Sequence, residues 1–420
     1  MSLFPFLQRC RFLGTGCLTL LLAAGSAHAQ GVLFRGMGAI NESIGGVGIA
    51  APLDSAGAMY TNPATLSALP DNEVSLGIGM LMPDSSVTSE IRGNPATHGY
   101  RKSDRENYYC PSFSSSFHVG KNSAWTLGFA AAATGGASAK YATTGSPLLN
   151  PILQGRERDS KVKVIQLFPT ISYAVTDNFS VGASAAFGIF SLYLNPMSFG
   201  LPAATPLNKS SEDYTFGIGF NVGAYYDFKN NIKVGLCVKT PVWADTFEFS
   251  GADSQTGLHR KVNFDFNLPL ILGAGIAYDG IDRLLIGLDV RYFDYAHTAG
   301  FKRVTDNSGN IAGLGWDSVF SVSIGAQYAV LDSLKIRAGY CFSENPIPGK
   351  VQYANVASPL FIQHVASIGL TYSFSTGTDI SAAWSHAFKN KCSGSFANGA
   401  GRVKNTVNAE TFFLAVTQHF

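Results

Sequence analysis

From Tyr214 to Phe228 the chain reads YTFGIGFNVGAYYDF. Tyr214, Phe216, Ile218, Phe220, Val222, Ala224, Tyr226 and Phe228 are apolar at every second position. The other face carries Thr215, Gly217, Gly219, Asn221, Gly223, Tyr225 and Asp227. A period of two is that of a strand; a helix, with 3.6 residues per turn, would scatter these side chains around its surface. The next segment repeats the pattern, with Ile232, Val234, Leu236 and Val238 alternating with Lys233, Gly235, Cys237 and Lys239. A greasy face opposed to a small or polar one suits two arrangements. A soluble sandwich buries the greasy face between sheets, whereas a membrane barrel turns it to lipid and keeps the polar face inside.

Working outward, the same rhythm recurs from Glu73 to the end and gives fourteen strands. They fall at 73–83, 108–119, 123–134, 161–175, 178–190, 212–228, 230–243, 263–279, 282–295, 316–331, 333–343, 362–375, 378–389 and 408–420. Tight joints at 120–122, 176–178, 229–231, 279–281, 331–333 and 375–377 alternate with long polar segments at 84–107, 135–160, 191–211, 244–262, 296–315, 344–361 and 390–407. An even strand count with connections alternating between short and long is the plan of an outer-membrane barrel. Aromatic residues near strand ends (Tyr226, Phe228, Phe374, Trp384, Phe388) agree with it. The last strand alternates Phe412, Leu414, Val416 and Gln418 and ends on Phe420. It must pair with the first, because an open sheet edge cannot stand in lipid.

Composition points the same way. Of 420 residues, 46% are hydrophobic and only 14% charged, against about a quarter charged in soluble proteins. Yet after the first thirty residues there is no apolar run long enough for a membrane helix. Residues 1–29 read as a secretory signal: Arg9 and Arg11, an apolar stretch from Phe12 to Gly25, then Ala27-His28-Ala29 before Gln30. Its removal takes two of the 30 Lys+Arg and none of the 28 Asp+Glu, leaving a formally neutral chain, which argues against nucleic acid as a partner. The four remaining cysteines, Cys110, Cys237, Cys341 and Cys392, fit neither a zinc spacing nor a tight disulfide framework and read as small apolar residues. No nucleophile elbow, H-E-x-x-H or P-loop occurs, so an enzyme, a metal and a cofactor are not expected.

Residues 30–72 lack the period of two. A bore of fourteen strands is too wide for side chains to fill, and this irregular segment, rich in small residues, reads as a plug enclosed by residues 73–420. Glycine patterns such as Gly217–Gly219 and Gly273–Gly275 face the lumen and are expected to pack closely against it.

Those residues carry a resemblance. Gly45-Gly46-Val47-Gly48-Ile49-Ala50, Asp54-Ser55-Ala56 and Asn62-Pro63-Ala64-Thr65-Leu66 resemble the glycine-rich hatch and Asn-Pro-Ala element of the FadL-type long-chain fatty-acid transporters, a family that includes TodX-like aromatic-hydrocarbon uptake proteins. Later segments agree in order: Val234-Gly235-Leu236 running to Phe249-Ser250-Gly251, Asn267-Leu268-Pro269, Leu288 to Tyr292, Arg337 to Tyr340 followed by Asn345-Pro346, and Ser367 to Tyr372. The resemblance implies an all-β fold, a 14-stranded antiparallel transmembrane barrel plugged by an amino-terminal hatch. It implies passive uptake of hydrophobic compounds across the bacterial outer membrane, long-chain fatty acids first and aromatic or aliphatic hydrocarbons as the alternative. Capture at outer loops, an internal apolar pocket and sideways release at a kinked third strand complete the implied route. A structural or adhesive barrel is the alternative of another class. Outer-membrane lipid and lipopolysaccharide would surround the wall, and Phe420 resembles the signal read by the barrel-assembly machinery.

Site candidates follow. Gly45, Gly46, Gly48, Asn62, Pro63 and Ala64 belong to the hatch. Gly135 and Gly136 either kink the third strand or begin a loop. Leu148, Leu149, Ile152 and Leu153, with Leu194, Met197, Phe199, Leu201 and Leu207, are unusual grease for loops; they form a capture groove, a cap, or both. If the ligand is a carboxylate it needs a cation, and parity turns Lys163, Lys239, Arg291 and Arg337 to the lumen, with Arg337 set low. Asp289 shares Arg291's face and could simply pair with it. Two departures from the family, the small residues of Gly135–Tyr141 and the absence of an acid in Ser358–His364, bear on the ligand more than on the fold.

Overall fold

A computed structural model describes residues 30–104, 107–120, 124–142, 157–199, 206–208, 210–302, 312–396 and 399–420. Fourteen antiparallel strands close into a barrel: β1 Glu73–Ile91, β2 Tyr108–His118, β3 Trp125–Tyr141, β4 Arg158–Ala174, β5 Phe179–Asn195, β6 Asp213–Asp227, β7 Ile232–Lys239, β8 Ile271–Ile281, β9 Leu284–Phe293, β10 Val319–Leu331, β11 Leu334–Ser343, β12 His364–Ser373, β13 Thr378–Ser395 and β14 Gly401–His419. Each pairs with its sequence neighbours, and β14 pairs with β1 from Glu73↔His419 to Ile91↔Gly401, so no edge remains. No helix among the described residues is long and apolar enough to cross a membrane.

The alternation sorts as lipid requires. Phe216 is 64% exposed, while Thr215 and Asn221 on the opposite face are 5% and 3% exposed. Leu76, Leu236, Ile368 and Leu414 continue the exposed belt around the wall. Near the short turns the belt ends in contacting aromatics, among them Tyr226–Phe228 at 4.8 Å, Tyr372–Phe374 at 4.9 Å and Phe117–Phe420 at 5.8 Å between ring centres. The turn after β6 places Lys229 and Asn231 at φ 58° and 69°.

Inside the barrel lies most of the segment from Gln30 to Leu69, whereas Pro70 and Asp71 are exposed. Helix α1 (Gly38–Ser43), helix α2 (Ser55–Thr61) and a 3-10 turn (Pro63–Ala68) are almost wholly buried. Asp54 caps α2 by accepting from Gly57 N. Small residues on the inner wall give the plug its room. A Cβ at Gly223 would collide with Asn62, one at Gly235 with the Ile49 carbonyl, and one at Gly325 or Gly339 with Ile44. Gly273 and Gly275 also meet Ile49, as expected. Gly217 and Gly219 do not meet the plug: they accommodate the Pro241–Ala244 backbone, which folds back along β6.

The strand boundaries need correction where strands leave the membrane. The described residues of 84–107 and 390–407 are largely β-structure, in which β1, β13 and β14 continue upward and strand Asn94–Lys102 folds back on β1. β3 runs to Tyr141 rather than ending at 134. β7 stops at Lys239 and β8 begins at Ile271; between them strands Phe247–Asp253 and His259–Phe264 join Leu207–Asn208, from the β5–β6 connection, in a small sheet apart from the wall. Above the hydrocarbon layer the outer face of a strand meets water, so greasy-polar alternation no longer marks it. The joint placed at 279–281 is a register shift, and the turn itself is Asp282-Arg283, with Arg283 at φ 59°. The proposed secretory signal (1–29) and the turn residues Lys121 and Asn122 lie outside the described residues.

Candidate functional site

The hatch is stitched to the wall by its own motifs. Asn62 donates to Ile49 O (2.7 Å) and to Ala224 O on β6 (3.0 Å), and its side-chain oxygen accepts from Ala64 N (3.1 Å). Pro63 opens the 3-10 turn, and the Ala64 carbonyl accepts from Ser172 of β4 (3.3 Å) and Ser180 of β5 (2.7 Å). Gly45 and Gly46 turn the chain at φ 74° and 81°. Gly48 N and Ile49 N then donate to Asp289 at 2.9 and 3.1 Å. Arg291 pairs with Asp289 (3.2 Å) and donates to the carbonyls of Arg35 (2.8 Å) and Gly46. Arg291 therefore ties the hatch to the wall: its Nη1 and Nη2 both donate to hatch carbonyls while Nη2 also faces Asp289.

Lys163 requires correction. It shares the outward parity of the exposed Ile165 and Ile171, while Val162, Val164 and Phe168 point inward to the core. Together with Lys161 it pairs with Glu212, at 3.6 and 2.8 Å. This part of β4 lies beyond the lipid belt, where charge faces out and grease faces in. Lys239 does face inward, with its Nζ 4.0 Å from the ring centre of Tyr60 in the hatch. Arg337 also faces inward, donating to Gln327 (2.7 Å) and Thr371 (2.8 Å).

Burial opposes the charge of Glu212, but hydrogen bonds from Lys161 and Ser191 and the charges of both lysines override it, lowering its carboxyl from 4.5 to about 2. A depressed carboxyl contributes in full above its ordinary value and is lost as pH falls through the lowered one. Amide exchange around residues 206–213 should therefore rise as pH drops from about 4.5 toward 2, after correction for intrinsic rates. Glu212→Gln should already show that faster exchange at pH 7; equal protection in both proteins would remove this role.

Gly135 and Gly136 sit within β3, at an interruption of its ladder. The register with β4 shifts between Ala133 and Gly135, leaving Thr134 as the extra residue of a bulge. Below it β3 pairs with β2 up to Ser112↔Ala132. Above that point Tyr108–Pro111 pair only with β1, while β3 turns its hydrogen bonds inward to the hatch: Phe34 N to Thr134 O (2.9 Å) and Gly136 N to Val32 O (3.0 Å). The wall is joined again higher up by Asp104 N to Lys140 O (2.9 Å). An opening of about 620 Å³ lies between, lined by Phe34, Leu81, Tyr109, Cys110, Gly135 and Ile165 among others.

Two further cavities adjoin it. One of about 110 Å³ shares Phe34, Leu81, Cys110 and Gly136 with the opening. Another of about 40 Å³, beneath the outer loops, shares Val32 and Leu360 with the first. Its walls include Leu194, Phe199, Phe264, Phe266, Phe301 and Trp316. Phe301 and Trp316 stand 4.7 Å apart between ring centres, Phe199 and Phe264 5.0 Å. Met197 is fully buried and bridges Leu207 in the same cap. Leu148, Leu149, Ile152, Leu153 and Leu201 lie outside the described residues. Phe264, Phe266, Phe301 and Trp316 were not singled out in the sequence: Phe264, Phe266 and Trp316 fall within segments read as wall strands, and only Phe301 stands in one read as polar. All four cysteines are free and buried.

Comparison with known proteins agrees with this geometry. Residues 20–420 match the model of the family described as outer membrane protein transport protein (OMPP1/FadL/TodX). A Pseudomonas aeruginosa FadL homologue superposes with a TM-score of 0.73 at 16% identity, over 93% of this chain and 100% of that one. The P. putida toluene transporter TodX gives 0.71 at 18% identity, over 92% and 99%. The Ralstonia pickettii toluene transporter TbuX gives 0.64 at 17%, over 92% and 99%. A 47 kDa outer membrane protein of Pasteurella multocida is 23% identical over 217 residues, a match spanning 44% of this chain and only 46% of that protein. With a closed 14-strand barrel, no membrane helix among its described residues and a family match over nearly its whole length, the chain is an outer-membrane protein of the OMPP1/FadL/TodX transport family.

Proposed function

We propose that the protein carries hydrophobic compounds passively through the outer membrane, from the aromatic cap past the hatch and sideways into lipid. The observation that carries this reading is the succession of three adjoining cavities along Val32–Phe34, ending at the gap between β2 and β3. Hydrophobic energetics favour the sideways exit. A ligand leaving for the periplasm would give up about 0.8 kcal/mol for every methylene returned to water, whereas lipid keeps that term.

Uncharged compounds fit this lining better than fatty acids. Arg35 pairs with Glu42 (2.7 Å), Lys140 with Glu157 (3.6 Å), and Lys161 and Lys163 with Glu212. A carboxylate entering beside them would have to displace a protein partner from its cation. Fatty acids remain the second reading, favoured by Lys239, which has no carboxylate within 4 Å among the described residues. Cells with and without the protein would be given a radiolabelled aromatic hydrocarbon, an alkane and a long-chain fatty acid. Faster entry of the uncharged compounds is expected; equal entry in both strains for all three would end the proposal. In the second reading, Lys239→Ala slows only the fatty acid.

A further inference from the structure

We infer that the inner cavity selects apolar molecules bearing a neutral hydroxyl, such as aliphatic or aromatic alcohols, over bare hydrocarbons and over carboxylates. This rests on the uptake reading above and names the class of compound taken up. The cavity of about 110 Å³ has mostly apolar walls, including Val32, Leu33, Leu81, Ile362 and Phe413. An apolar cavity of about 150 Å³ holds a benzene ring, and this one joins the larger opening through the shared Phe34, Leu81, Cys110 and Gly136, where the rest of a ligand can lie.

Four buried, unpartnered polar atoms interrupt that lining. Gln30 Oε1, Ser343 Oγ, Gln363 Nε2 and Arg35 Nε are buried and have no hydrogen-bond partner among the described residues. Gln30, Ser343 and Gln363 are each more than nine-tenths buried. Buried polar atoms are paired in the great majority of cases, and several unpaired ones lining one cavity call for a guest that completes them. The geometry keeps them together. Gln30 Nε2 is committed to Ser321 (2.6 Å) on β10, leaving its oxygen free, and Ser343 N donates to Gln363 O (3.0 Å).

The set contains both needs of a hydroxyl. Gln30 Oε1 accepts an O–H, while Gln363 Nε2 and Arg35 Nε donate to its oxygen; Ser343 does either. A hydrocarbon would leave all of them unsatisfied. A carboxylate would bring a charge to a cavity whose charged lining, Arg35 and Glu42, is already paired, and it would set a second acceptor against Gln30 Oε1.

The test measures binding to the purified full chain in detergent by calorimetry at pH 7, with 1-octanol and benzyl alcohol set against octane, toluene and octanoate. Each alcohol should bind about tenfold or more tighter than the hydrocarbon or acid of matching size. Gln30→Leu and Gln363→Leu should each cut alcohol affinity about tenfold and spare hydrocarbons. Ser343→Ala, which removes one atom, serves if either glutamine variant fails to fold and should also weaken only the alcohols. Equal affinity for alcohol and hydrocarbon would mean that the polar atoms hold water only, overturning the inference while leaving the uptake reading intact. Tightest binding of octanoate would overturn it too. Absence of binding by every compound would instead defeat the uptake reading.

Discussion

Replacing Arg291 with Ala is expected to make the barrel conduct small ions steadily in planar bilayers, where the unaltered protein stays largely closed. The guanidinium supports three groups at once: the carbonyls of Arg35 and Gly46 in the hatch and the carboxylate of Asp289. Asp289 in turn holds Gly48 N and Ile49 N and is almost fully buried. Removing one partner of such a pair leaves an uncompensated buried charge, at a cost of about 3–5 kcal/mol. Because 1.4 kcal/mol is a factor of ten, the loosened hatch should open more often by roughly two to four orders of magnitude. The cost falls on the plug and not on the wall. β9 keeps its ladders with β8 and β10, so heat-modifiable migration of the folded barrel should persist. Faster amide exchange confined to residues 35–50 would accompany the conductance. A variant as closed as the parent, with the hatch equally protected, would show that other contacts hold the plug.

How far this site could be read from the sequence depends on how local its cause is. The stretch from Tyr214 to Phe228 announced both its structure and its orientation, since lipid enforces the same alternation along every residue in the belt. Lys163 shows where that logic stops. Val162 and Val164 face inward because the hatch and the aromatic cap make the upper lumen apolar, so the polar side chain is the outer one. The fate of Arg291 was open for a different reason. Sequence offered Asp289 as a neighbour of equal parity, but the hatch carbonyls that engage the guanidinium lie some 250 residues earlier in the chain. The aromatic cap draws Phe199, Phe264, and the pair Phe301 and Trp316 from three different connections, and no local period links them. Asn62, Pro63 and Ala64 stood out through family resemblance; their bonds to β4, β5 and β6 depend on where the barrel places those strands.

Deleting Thr134 is expected to abolish uptake while leaving the cavities able to bind. Thr134 is the unmatched residue in the β3–β4 ladder: Ala133 faces Ile165 and Gly135 faces Val164. Its removal keeps every other β3–β4 pairing in register and takes away the bulge, so β3 can run straight beside Tyr108–Pro111 and close the gap. The hatch loses the Phe34 N to Thr134 O bond in the process. With the side exit shut, a compound must leave into water. For eight carbons that forfeits about 6 kcal/mol, well beyond the 1.36 kcal/mol that corresponds to a tenfold change in rate. Uptake of labelled compound by cells should therefore fall by at least about tenfold. Thr134→Ala is the matched control. It keeps the residue count and the bulge, loses only the 2.7 Å bond from Thr134 Oγ1 to Gln166, and should import normally. Import at the parental rate by the deletion, with its altered strand confirmed by amide exchange across residues 108–136, would mean that compounds leave elsewhere and that this gap plays no part in transport.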